Sequence, residues 1–112
     1  MLDNPPIFVY ILCGLIYIIT GQLVLRYPPK KINAFYGYRT ASSKRSQAHW
    51  DFAQKESSKY IIQSGYYCLL TSVPFILFDS GKAGIWIAII LTTLYPFVSI
   101  FQTEKALKKK FG

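Results

Sequence analysis

Acidic side chains are scarce in this 112-residue chain: five Asp and Glu stand against 13 Lys and Arg, with one His and two Cys. Asp3, Asp51, Glu56, Asp79 and Glu104 all lie outside the long apolar stretches, and His49 has no second ligand at a metal-binding spacing. Hydrolysis within a lipid phase needs a nucleophile with its base, a carboxylate pair or a metal, and none of these is provided. His49 and Asp51 are two residues apart, so on a helix they point in different directions and form no catalytic pair. The expectation is no enzyme: no catalytic residue, no metal, no cofactor. Cys13 and Cys68 show no metal or redox spacing and read as small apolar packing residues rather than a disulfide.

Charge is absent altogether from three longer stretches, Ile7 to Leu25, Tyr60 to Phe78 and Ala83 to Phe101. At 1.5 Å rise per residue each would make a helix about 28 Å long, close to a bilayer's hydrocarbon core. The runs are continuous rather than alternating, so they read as helices. So short a chain has nothing left to cover three apolar helices in water. The predicted fold class is all-α: a transmembrane bundle of three spans (about 7–25, 60–78 and 83–101), a loop over 26–59 and a tail over 102–112, in one domain over 1–112. The first span lacks the basic flank and small-residue cleavage site of a signal peptide, since Asp3 precedes it and Gln22 to Leu25 close it.

The basic residues set an orientation. Arg26, Lys30, Lys31, Arg39, Lys44, Arg45, Lys55 and Lys59 fall between the first two spans, and Lys105, Lys108, Lys109 and Lys110 follow the third, leaving only Lys82 elsewhere. The positive-inside rule then places the loop and tail in the cytoplasm, with the N-terminus outside. The net charge of +8 reads as attraction to anionic lipid headgroups, not to nucleic acid.

Pro5 and Pro6 suit a first helical turn, and Pro28-Pro29 should end the first span. Ser42 or Ser43 is expected to cap a short amphipathic helix over 43–59, with Trp50, Ala53 and Tyr60 on one face. That helix either rests on the membrane surface or continues into the second span. Asp79 to Lys82 forms a tight turn making the second and third spans antiparallel, and Pro74 and Pro96 are expected to kink them.

Candidate binding residues cluster in the loop. Asn33 can bond neighbouring backbone groups, Gly37 permits a turn at positive φ, and Arg39 offers a planar fork for a carboxylate or phosphate. With Tyr38, Thr40 and Trp50 they could hold a headgroup or a peptide terminus; alternatively Arg39 pairs with Asp51 or caps a helix and the loop only closes the bundle. No Asp, Glu, Lys, Arg or His lies within the spans, which argues against a transport path through one copy; Gln22 and Gln63 read as interhelical polar contacts.

The string Asn33, Gly37-Tyr38-Arg39-Thr40, Ser42-Ser43, Ser46 and Trp50, after Pro28-Pro29, resembles the SdpI family of small bacterial multi-pass membrane proteins. The resemblance implies a helical hairpin with a neighbouring span around this loop. It also implies the role of the family's named member, a larger protein that gives immunity to a secreted peptide toxin and holds a transcription repressor at the membrane. The expected function is thus an immunity or signalling module that binds a peptide toxin or another membrane ligand. The alternatives are an accessory subunit of a larger membrane protein, or a homo-oligomeric transporter or lipid-handling protein.

Overall fold

A computed structural model describes residues 5–74 and 81–112 and contains three helices among them: α1 (Pro5–Arg26), α2 (Gln47–Ser72) and α3 (Gly81–Phe111). α1 and α3 are long and apolar enough to cross a membrane. α2 is charged through its first half, with Asp51, Lys55, Glu56 and Lys59, and turns apolar only from Tyr60. Residues 75–78 of the expected second span, and Asp79 and Ser80 of the expected turn, lie outside the described residues.

The structure fixes three boundaries. The short helix over 43–59 is not a separate surface element: α2 runs unbroken from Gln47 to Ser72, and its polar half stands on the apolar half. Its N-cap is Ser46, neither Ser42 nor Ser43; Ser46 is extended (φ −157°) and its hydroxyl accepts the His49 N–H at 3.1 Å. Ser42 and Ser43 instead belong to a preceding turn. The tail over 102–112 is helical through most of its length, since α3 continues to Phe111.

Contacts fix the helix directions. Gly14 lies against Gly65, and Ser64 against Ser99, while Tyr17 reaches Thr92. α2 is therefore antiparallel to both α1 and α3, and the loop over 27–46 sits where α1 ends, α2 begins and α3 ends. Most of the basic side chains gather at this loop end of a body 49 Å long.

The burial pattern is reversed from that of a water-soluble bundle. Trp86, Phe97, Phe101, Leu70 and Ile19 are all more than half exposed, whereas Ala88, Thr92, Ser99 and Thr103 are buried. Small residues face the protein because lipid provides no hydrophobic drive between helices, so close backbone approach and polar bonds must hold them. At the closest crossing a Cβ on Gly65 would stand 2.6 Å from the Gly14 carbonyl oxygen, and one on Gly14 would stand 2.8 Å from that of Gly65. Ser64 and Ser99 hydroxyls bond each other at 2.7 Å, and Thr71 bonds the Tyr95 hydroxyl at 2.9 Å. Gln22 and Gln63, expected to make such contacts, are both exposed. Cys13 and Cys68 are free thiols, and Cys68 is buried.

Pro96 lies inside α3 and has no N–H to give the Thr92 carbonyl four residues earlier. The Tyr17 hydroxyl on α1 donates to that carbonyl at 2.6 Å. An acceptor freed by a proline is thus satisfied by a neighbouring helix, as a segment without water requires. Beyond α2 the same need arises at Pro74, where the Leu70 carbonyl takes the Val73 N–H at 3.2 Å.

Candidate functional site

Two buried side chains of α2 clamp the loop. The Trp50 indole N–H donates to the Pro29 carbonyl at 2.6 Å, and Trp50 has no exposed surface. One turn on, Gln54 bonds the Tyr38 backbone twice: its Oε1 accepts the Tyr38 N–H at 2.7 Å and its Nε2 donates to the Tyr38 carbonyl at 2.6 Å. A primary amide is suited to this, carrying donor and acceptor side by side like a strand edge. Ser58, a further turn on, donates to the Gln54 carbonyl at 2.6 Å.

Gly37 precedes the clamped residue at φ +92°, and a Cβ there would collide with the Gln54 Oε1 and the Pro29 ring. Only glycine meets both demands. Asn33 shapes the turn leading in: its Oδ1 accepts the N–H groups of Phe35 and Tyr36 at 2.9 and 2.8 Å, and its Nδ2 donates to Lys31. Tyr36 then donates to the Tyr27 carbonyl at 2.9 Å, beside the last turn of α1.

The other end of the loop is tied to α3 by one carboxylate. Glu104 Oε1 accepts the Tyr38 hydroxyl at 2.7 Å and the Thr40 hydroxyl at 2.5 Å. Burial alone would raise its pKa, but the hydroxyls of Thr40, Tyr38 and Ser42 and the charge of Arg45 outweigh it and hold Glu104 below the usual carboxylate range. Burial first, and then the bond to Glu104, push the Tyr38 phenol up. Thr40 and the buried Ser43 also bond each other's backbone, closing the turn before α2.

A group with a depressed folded pKa contributes stability that is present above its unfolded value and is lost as pH falls through the folded one. Amide protection over residues 38–43 should therefore hold at neutral pH and fall once the medium passes below the usual carboxylate range. Glu104→Gln should flatten that dependence. Hydrogen exchange measured against pH checks both, and an unchanged profile in the variant would remove Glu104 from this role.

Of the six expected loop residues, then, Asn33, Gly37, Thr40 and Trp50 are tied into the scaffold, and Tyr38 is held by backbone and hydroxyl alike. Arg39 is exposed, and among the described residues it pairs with no carboxylate. Asp51, its suggested partner, accepts from Gln47 at 2.8 Å instead. Arg39 lines a cavity of about 340 Å³ between the three helices and the loop, whose walls include Val24, Ile61, Pro96 and Ile100. Among the described residues no cluster of His, Cys, Asp or Glu could hold a metal.

Gln54 and Glu104 went unnoticed in the sequence. Gln54 left one local trace, since Trp50, Gln54 and Ser58 recur at the four-residue spacing of a single helix face. Glu104 left none: its partners lie 64 and 66 residues away.

Residues 30–101 match the model of the SdpI/YfhL protein family. The chain is 34% identical over 95 residues to "Uncharacterized protein YfhL" of Bacillus subtilis (strain 168), covering 85% of this chain and 82% of that protein. No solved structure matches. The matched stretch takes in most of the loop with Arg39, all of α2 with Trp50 and Gln54, and the apolar part of α3, while Glu104 lies just beyond it: this chain is a small membrane protein and belongs to the SdpI/YfhL family.

Proposed function

We propose that this chain is a three-span binding protein of the bacterial inner membrane, with its N-terminus outside and its loop end in the cytoplasm. In this reading it takes an amphiphilic membrane ligand, a peptide toxin in the first instance, into the cavity beneath the loop. The observation that carries the proposal is the pairing of apolar walls with a cation that forms no ion pair among the described residues: Val24, Ile61 and Ile100 line the same space as Arg39. About 340 Å³ is at the lower end of ligand-site volumes and suits one side chain or one chain terminus of a larger ligand. An inserted peptide presents such a combination, an apolar face and a terminal carboxylate, and a guanidinium can bind the carboxylate through two parallel bonds. The gathering of basic residues at the loop end supports the orientation.

Cells with and without the chain, challenged with a panel of membrane-active peptide toxins, provide the test. Expression is expected to raise survival against at least one toxin, and Arg39→Ala to remove roughly tenfold of that protection at equal membrane abundance, as loss of one charge-assisted contact implies. Equal survival with and without the chain across the panel would defeat the reading. A stoichiometric partner in mild detergent would favour the accessory-subunit alternative.

A further inference from the structure

A second cavity, larger than the first and on the other side of the Glu104 latch, has no part in the proposed function. It encloses about 610 Å³ between the N-terminal turn of α2 and the C-terminal turns of α3. Arg45, Lys105 and Lys108 converge on it from the loop and from α3, and Phe101 and Leu107 give it an apolar side. Among the described residues none of these three cations forms an ion pair. Glu104 lines the same space and feels the charge of Arg45 without forming an ion pair with it, and its Oε1 accepts from the hydroxyls of Tyr38 and Thr40, which leaves three cations against one side-chain carboxylate around the cavity. Gly112 closes the rim.

Depth along α3 tells which anion fits. Phe101 is the last residue of the apolar run, and Lys108 stands two turns beyond it, about 10 Å along the axis. The polar layer outside a bilayer's hydrocarbon core is roughly 5–8 Å thick on each side, so Lys105, about 6 Å beyond Phe101, lies level with lipid phosphates and Lys108 stands just outside them. The mixed lining corresponds to the same boundary: Phe101 is placed to meet the start of an acyl chain while the cations are placed to meet the phosphate.

We propose that this cavity is a phosphate site, taking the phosphate of an anionic lipid headgroup or a free phosphate of the same charge. Arg45 supplies a planar fork for two phosphate oxygens, and Lys105 and Lys108 supply point charges around the third. Binding here is local, not a general attraction of a basic surface.

The test compares the intact protein in detergent micelles with two charge-matched variants. One is Arg45→Gln/Lys105→Gln/Lys108→Gln; the other, Lys30→Gln/Lys31→Gln/Lys44→Gln, removes the same charge away from the cavity. Native mass spectrometry with added phosphatidylglycerol, phosphatidylcholine or diacylglycerol reads retained lipid, and phosphorus NMR reads inorganic phosphate. The wild type is expected to retain phosphatidylglycerol at least tenfold better than diacylglycerol. The cavity variant should lose that preference, and the control should keep it within twofold. Inorganic phosphate that binds alone and displaces the lipid would assign the site to free phosphate; retention of lipid alone would assign it to the headgroup. Arg45→Gln by itself, a single exposed change, should weaken retention about threefold and covers the case in which the triple variant does not fold. Equal loss in the cavity and control variants, or no preference in the wild type for any phosphate-bearing probe, would overturn the proposal.

Discussion

Gly65→Val is expected to part α1 from α2 and to lower the stability of the bundle by about 3 kcal/mol, the upper end of what overpacking usually costs. The first added carbon already stands 2.6 Å from the Gly14 carbonyl oxygen and 2.5 Å from the Ile18 side chain. The oxygen belongs to a helix backbone and cannot turn aside as a side-chain tip would, so the helices themselves must move. Separation also weakens what depends on their spacing, including the Tyr17 bond to the carbonyl freed by Pro96. Gly65→Ala should fall between valine and wild type. Leu70→Val, an exposed change on the same helix, should stay within about 0.5 kcal/mol. Unfolding in mixed micelles, followed by loss of helicity as the denaturing detergent is raised, measures all three. A valine variant with an unshifted midpoint would mean that α1 and α2 do not meet at these glycines.

Gln54→Leu should release the loop while leaving the helices in place. Leucine keeps most of the volume but leaves the Tyr38 N–H without a partner and its carbonyl with only the long 3.4 Å bond from the Ser43 hydroxyl. Each buried group left unpaired costs about 1–3 kcal/mol, so docking should weaken by at least about 2 kcal/mol and the Tyr38 amide should exchange roughly 30-fold faster. Gln54→Glu separates the two bonds, since an ionised carboxylate still accepts the Tyr38 N–H but cannot donate to its carbonyl. At neutral pH that charge, buried and facing the carbonyl, should weaken docking at least as much as leucine does, and protonation at low pH should restore a donor and lessen the effect. Hydrogen exchange resolved to single residues reads both variants, with amides of α1 as the internal reference. An unchanged Tyr38 rate in the leucine variant would show that the turn holds without the clamp.

What could be read in the chain beforehand followed locality. The spans beginning near Ile7 and Ala83 were legible because uninterrupted apolar composition is a property of a segment in itself, and α1 and α3 contain them. Pro28-Pro29 marked the end of α1 for the same reason, as proline removes a donor wherever it stands. Capping was harder to read. Ser42, Ser43 and Ser46 all offer a hydroxyl, and the choice fell to Ser46 because Thr40 and Ser43 are occupied with each other's backbone. Continuity of α2 across Lys59 was likewise undecided, since a polar helix and an apolar one can join with no local mark.

Chain composition determined by itself that this protein is helical and lipid-facing, that its cations collect at one end, and that the stretch from Pro28 to Trp50 is its distinctive part. Only the tertiary structure decided which polar groups meet. Gln54 took the Tyr38 backbone, Glu104 took two hydroxyls of a loop more than sixty residues earlier, and Tyr17 took the carbonyl that Pro96 left open. Among the described residues Arg39 and the Arg45, Lys105 and Lys108 group form no ion pair, and they stand beside separate cavities. The physical reason is range. Hydropathy and turn chemistry act between neighbours in sequence, whereas a hydrogen bond between helices depends on register and rotation, which are set once the small residues have allowed the backbones to close.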